Sequence, residues 1–422
     1  MSPDVTIPAP APRPAKPVVV PFLLTVALFS LVAVLTLSPP TRLLRTLRRS
    51  IVRPVVRLFG WIPLPAALDP PSNLVVSINS YAAYANDQTR QLDRKYVAYE
   101  RMSRRHRKIG QRLEWKRALD AAQDAIELNS TVTDELAAIG LDVAKREGIP
   151  YGFRSRFRKE TGRVVETLKH FVRDWSDQGN SERAALFPPI LDSLRQEFPA
   201  TSGKRVLVPG CGLGRLAYEI STQGFSTTAN DFSFFMTLGT SLIFSRTHSA
   251  NQHRISPFVH SFSHQRARDD LVRTVAFPDV VPRKDVDLDF EQGDFLSQFS
   301  DRAGSFDAIV TLFFIDTASN LLDYFETIWT LLKPNGIWIN EGPLLYYGNP
   351  GMELPLEDVV RAAELVGFEI EKRRTLEQVR YTADEKGMYT FAYDCEFWIA
   401  RKPVSVAAVG SVAHDDDRVK QS

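Results

Sequence analysis

The hydrophobic pattern opens with a run that carries no charge. "VVVPFLLTVALFSLVAVLTLS", residues 18–38, would form a helix about 31 Å long, near the hydrocarbon thickness of a bilayer. Residues 1–17 before it are rich in Pro and Ala and read as disordered. Residues 39–74 after it form a basic linker with Arg42, Arg45, Arg48, Arg49, Arg53 and Arg57, against only Arg13 and Lys16 on the other flank. The asymmetry predicts a single transmembrane helix at 18–38 with the rest of the chain facing the cytosol. The charges follow the apolar run rather than precede it, which argues against a secretory signal peptide.

From 75 to 198 apolar residues recur at three- and four-residue spacing with charges between them, as in "EWKRALDAAQDAIELNSTVTDELAAIG". This predicts a helical region, with Gly110 and Gly140 as candidate helix stops. After Gly203 the rhythm changes. "KRVLVPG", "FSTTAND", "DLDFEQGD", "FDAIVTLFFID", "GIWINEGPLLYY", "FEIEKRR" and "DCEFWIARK" read as short strands, several of them separated by helical stretches. Such alternation predicts a parallel α/β domain over 199–403. Residues 404–422 read as a loose tail.

Composition narrows the function less than the pattern does. The 422 residues are 44% hydrophobic, enough for one large core or two smaller ones. Lys and Arg number 52 against 50 Asp and Glu, a net charge of +2 that gives no sign of a nucleic-acid partner. The basic "RRHRK" run lacks interleaved aromatics and reads as a solvated face. Cys211 and Cys395 stand far apart, with no metal-ligand spacing, so neither a disulfide framework nor a zinc site is expected.

The chemistry concentrates at "RVLVPGCGLGRLAYEI", residues 205–220. Strand, glycine turn and helix form a cradle for a nucleotide-like cofactor. Here Gly210, Gly212 and Gly214 give G-x-G-x-G, not the G-x-G-x-x-G that seats a dinucleotide pyrophosphate. The shorter pattern suits S-adenosylmethionine. Asp231 ends the next strand, where a carboxylate accepts both ribose hydroxyls. Asp294 and Phe295 in "GDF" end a third strand, where the adenine amino group and face would lie. Each also has a plainer reading, Asp231 as a helix cap and Asp294 as a turn residue. Arg173 suits a carboxylate clamp, or a surface ion pair with Asp174 or Glu182. Asp316 in "FFIDTASN" sits at the C-terminal end of a predicted central strand, where open α/β sheets place ligands, and is otherwise a helix cap.

Longer motifs carry a resemblance. "FVRDWSDQGNSER", "LVPGCGLGRLAYEI", "NDFSFFM", "FPDVVP", "FFIDTASNLLDYFETIW", "LLKPNGIWINEGPLLYY" and "YDCEFWIARKP" resemble the carnosine N-methyltransferase family, over roughly residues 81–403. The resemblance implies a class I methyltransferase fold, a Rossmann-like seven-stranded sheet with an added N-terminal helical region. It implies S-adenosylmethionine as cofactor and transfer of its methyl group to an imidazole nitrogen of carnosine. It places cofactor contacts at His170, Arg173, the glycine loop, Asp231, Asp294 and Phe295. It places substrate contacts at Asp316, Tyr347, Tyr381 and Tyr393, with Asp316 catalytic. The family usually has Gln where His170 stands, Glu where Asp231 stands and His where Tyr347 stands. The last change leaves a group that cannot be cationic near neutral pH. His260 and His264 are left out of the site.

The expectation is therefore a membrane-anchored methyltransferase for a small histidine-containing peptide, with no metal and no nucleic acid. Rival readings are a protein-histidine or other amine methyltransferase, an NAD-dependent oxidoreductase, and a tethered binding protein without turnover. The oligomeric state is not readable.

Overall fold

The computed structural model describes residues 73–149, 151, 159–346, 348, 350–382 and 384–404, all within one compact unit. Among the described residues five α-helices come first: α1 (Asn73–Glu100), α2 (Arg104–Arg112), α3 (Trp115–Arg146), α4 (Thr161–Trp175) and α5 (Asn180–Glu197). β1 (Arg205–Pro209), α6 (Arg215–Thr222), β2 (Ser226–Asp231), α7 (Phe234–Ser241), β3 (His253–Ile255), α8 (Arg268–Val272), β4 (Val275–Phe277), β5 (Leu288–Gln292) and α9 (Phe295–Gln298) follow. β6 (Phe306–Leu312), α10 (Leu321–Leu331), β7 (Leu332–Gly342), α11 (Leu356–Val366), β8 (Glu369–Arg380) and β9 (Ala392–Arg401) complete the chain.

The expectation of a single-pass membrane protein is corrected. Among the described residues no helix is long and apolar enough to cross a membrane. α1 and α3, at 28 and 32 residues, have the length but expose charge along one side. Arg90, Arg94 and Lys95 do so on α1, and Lys116, Asp120 and Asp124 on α3. Residues 18–38 and the basic linker through residue 72 lie outside the described residues, and no membrane placement is carried forward.

The helical region forms because α1 and α3 share one apolar seam. Leu74, Ile78, Tyr81 and Tyr84 of α1 meet Leu119, Ala122, Ile126 and Leu136 of α3 in one buried cluster. Gly140 does not stop α3. A side-chain carbon there would lie 2.6 Å from Ile78 Cγ1, so glycine serves close helix packing instead. Gly110 likewise lies within α2, under the ring of Tyr99.

The seven strands run in the order β5-β2-β1-β6-β7-β9-β8. All pair in parallel except β9, which is antiparallel to both neighbours. Alternation builds two cores. Val206, Val208, Ala308, Val310, Ile337 and Ile339 face one side, with Leu186 and Ile190 of α5. Leu207, Ile309, Trp338 and Trp398 face the other, with Phe325 and Ile328 of α10. The chain leaves β1 toward one sheet edge and β6 toward the other, so their ends form the switch point at which open sheets bind ligands. The antiparallel pair β3–β4 lies outside this sheet and was not anticipated.

Candidate functional site

The glycine loop follows β1 and holds Gly210, Gly212 and Gly214 at φ +63°, +58° and +79°. At Gly210 a side chain would run into the ring of Phe314, so the residue must be glycine on both backbone and steric grounds. The Cys211 N–H donates to Asn230 O at 2.9 Å, tying the loop to the end of β2.

Asp231 closes β2 beside this loop. Its Oδ2 accepts the Gly212 N–H at 2.9 Å and its Oδ1 accepts the Ser233 N–H at 2.8 Å. Burial nevertheless pushes its carboxyl up to about 6. Each oxygen keeps a further lone pair for a ligand hydroxyl. At the end of β5, Asp294 is exposed and caps α9 through the Leu296 N–H. Phe295 is buried, with its ring edge-on to Phe314 and Tyr324 at 5.4 Å each. The exposed rings nearby are Phe232, next to Asp231, and Phe290, which lies against Gly214. Sequence reading singled out neither.

The end of α4 is clamped onto the loop from the other side. Trp175 Nε1 donates to Leu213 O at 3.0 Å, and Arg215 Nη1 donates to Asp174 O at 3.1 Å. Arg183 donates to Arg173 O at 2.7 Å and Ser176 O at 2.9 Å. Asp279 joins Arg183 and Arg215, accepting 2.6 Å bonds from both. Sequence reading quoted "FPDVVP" but gave Asp279 no role, because its partners lie 96 and 64 residues away.

This clamp presents Arg173 and Asp174 together. Both side chains are nearly buried, yet they stand 3.8 Å apart, beyond hydrogen-bond distance. Glu182 lies 3.4 Å from Arg173. The Arg173 guanidinium also sits over Phe313 and Tyr381, at 5.3 Å and 5.0 Å. Asp174 Oδ2 points toward Gly212, within 3.7 Å of where a side-chain carbon would stand. Sequence reading had Asp174 only as an ion-pair partner; its adjacency to Arg173 was the available signal. His170, one turn back on α4, is edge-on to Tyr381 at 6.2 Å. Burial pushes its imidazole down to about 4, so the ring is neutral, and its Nδ1 has no partner.

Asp316 occupies a single helical turn after β6 and is buried. Its Oδ2 accepts the Leu345 N–H at 2.9 Å, which ties it to the segment after β7. Burial pushes its carboxyl up to about 6. Between it and the clamp, Phe313 lies 4.9 Å from Tyr381, tilted by 30°, and 5.9 Å from Tyr393. Phe313 adopts φ +53°, a left-handed backbone that costs a non-glycine residue about 1–3 kcal/mol. Its N–H bond to Glu341 O at 2.9 Å helps hold it there. Tyr347 lies outside the described residues.

The sheet order, the switch-point loop and the acids flanking it define a class I methyltransferase-like α/β protein. A family model described as carnosine N-methyltransferase matches residues 154–404. The chain belongs to the carnosine N-methyltransferase family. It is similar to carnosine N-methyltransferase of Mus musculus, 38% identical over 253 residues, covering 57% of this chain and 63% of that protein. It is also similar to that of Schizosaccharomyces pombe, 37% identical over 263 residues, covering 57% of this chain and 70% of that protein. The chain thus spans a little under two thirds of the length of the mouse relative. A solved Haemonchus contortus phosphoethanolamine N-methyltransferase 2, in complex with S-adenosyl-L-methionine, aligns with TM-score 0.34 and 15% identity. That alignment covers 56% of this chain and 60% of the other.

Proposed function

We propose that this protein is an S-adenosylmethionine-dependent N-methyltransferase acting on an imidazole nitrogen of carnosine or a similar small histidine-containing peptide. The observation that carries the reading is the convergence at the C-terminal ends of β1, β2 and β6 of a glycine cradle, Asp231 on one flank and Asp316 on the other. The cofactor would supply a methyl group on a sulfonium. Asp231 would accept the ribose hydroxyls. Arg173 and Asp174 offer a cation and an anion that are poorly satisfied by each other, matching the carboxylate and ammonium of the methionine part. The unpartnered Nδ1 of His170 leaves a polar atom for the same region. Asp294, Phe295 and the exposed Phe232 border the adenine side.

Asp316 would act on the acceptor. The attacking nitrogen must be unprotonated, so the ring's other N–H has to carry the remaining proton. A carboxylate that accepts that N–H selects the reactive tautomer, orients the ring and stabilises the charge that grows on it. Tyr381 and Tyr393 would wall the acceptor, and Tyr347 would stand where the family has a histidine.

The test is the full chain with methyl-labelled S-adenosylmethionine, offered carnosine, free histidine and a protein extract. Methylated carnosine, lost in Asp316→Ala, is the expected result. Label found only in proteins would discard the small-peptide acceptor, and nicotinamide binding in place of S-adenosylmethionine would discard the whole reading.

A further inference from the structure

Glu341, near the C-terminal end of β7, is fully buried, and neither of its carboxyl oxygens has a hydrogen-bond partner. The buried Asp307 and Glu396 and the partly buried Asp279 are satisfied. Asp279 takes two arginines, Asp307 takes Lys333 Nζ at 2.7 Å and the Arg205 N–H at 2.9 Å, and Glu396 takes Arg373 and Thr375. A buried acid without partners is costly and is kept where it has a use.

Its surroundings point to that use. Strand alternation turns Glu341 to the same face as Ile337 and Ile339, level with Leu312 of β6 and Phe397 of β9. Cys395 is two residues from Phe397 on that face, and Phe313 and Tyr393 pack, half-buried, over the same cluster. The Cys395 thiol, pushed up to about 12 by burial and then by Glu341, also feels Arg173 and Asp316. The Phe313 N–H bond to Glu341 O at 2.9 Å, with the Phe313 ring against Tyr381 and Tyr393, sets the acid beside the acceptor side of the site. Burial pushes the Glu341 carboxyl up to about 9; the opposing charge is Arg374, which lies over the Phe397 ring at 5.2 Å. Glu341 is thus neutral in the free protein near pH 7.

We propose that Glu341 is the binding site for a primary ammonium group on the acceptor, the amine end of a small histidine-containing peptide. This rests on the methyltransferase reading and names how its substrate is chosen. The ammonium enters as Phe313 or Tyr393 turns aside, and the aromatic ring of Tyr393 suits a cation. The carboxyl proton leaves to solvent as the ion pair forms. Asp316 then keeps the imidazole, and two acids hold the two ends of one molecule.

The experiment is calorimetric titration of the full chain, loaded with S-adenosylhomocysteine, with carnosine and with N-acetylcarnosine. It is run in buffers of different ionisation enthalpy, on wild type, Glu341→Gln and Glu341→Leu. Wild type is expected to bind carnosine with release of about one proton more than either variant. Both variants should bind carnosine about 10- to 100-fold more weakly, while all three proteins converge on N-acetylcarnosine. Unchanged carnosine affinity and proton count in Glu341→Leu, with higher thermal stability, would overturn the proposal and leave the methyltransferase reading intact. Absence of carnosine binding by wild type would overturn both.

Discussion

Replacing Asp279 by Asn should cost more stability than any surface change in this protein. Asp279 lies between Arg183 and Arg215, 2.6 Å from each, with all three side chains at 12% exposure or less. Burial, and next the charge of Arg215, already push the Arg183 guanidinium down. Asparagine keeps the shape but leaves two buried cations facing each other. Removing one member of a buried ion pair costs about 3–5 kcal/mol. Arg183 retains two carbonyl acceptors and Arg215 retains Glu219, so the lower end, about 3 kcal/mol, applies. At about 2 °C per kcal/mol for a body of this size, the melting temperature should fall by about 6 °C. Thermal and urea denaturation would read this, with Asp285→Asn in the exposed Arg283–Asp285 pair as a control expected to be silent. S-adenosylhomocysteine binding should weaken with stability, since Arg183 and Arg215 hold the Arg173 and Asp174 carbonyls. A loss below about 1 kcal/mol would refute the account and show that the carbonyls and Glu219 satisfy both guanidinia without Asp279.

Other outcomes follow from the same geometry. Asp316 must be ionised to accept an imidazole N–H and burial raises it to about 6, so kcat/KM should climb with pH through that value. Asp316→Asn should lower kcat by about 10²–10³ and leave only the acidic limb of the acceptor imidazole itself, as read in a pH profile of labelled methyl transfer. Gly210→Ala should cost about 2–5 kcal/mol in urea denaturation, combining a left-handed backbone with overlap on Phe314, and should abolish cofactor binding. Asp174→Asn should weaken S-adenosylhomocysteine by about 10- to 100-fold in calorimetry yet spare 5′-methylthioadenosine, which lacks the amino-acid part. Equal losses for both ligands would remove Asp174 from the methionine end.

What the sequence disclosed was local in character. Strands β1, β2, β6 and β7 were visible because their apolar runs are short and end at Gly or Asp, as at "RVLVPG" and "TTAND". The site residues at strand ends, Asp231 and Asp316, were visible for the same reason. Gly140 was misread because a glycine that stops a helix and one that admits a neighbouring helix look alike until Ile78 is seen against it. The Asp279 clamp was hidden because it joins three segments far apart in the chain. Glu341 was hidden because "INEGP" shows an acid at a strand end and says nothing of its missing partners. The charge-free run at 18–38 reads as a span by its length and the basic flank after it; it lies outside the described residues, whose helices supply no span.

The Trp175–Leu213 and Arg215–Asp174 bonds carry one more consequence. The glycine loop is not a portable cassette. Cut before β1 and moved elsewhere, residues 199–404 would keep the loop and lose Arg173, Asp174 and the indole that braces it, while Arg215 and Asp279 would be left facing open solvent. Recombination that exchanges the sheet between relatives should therefore succeed only when α4 travels with it, and the natural unit of inheritance here begins well upstream of the first strand.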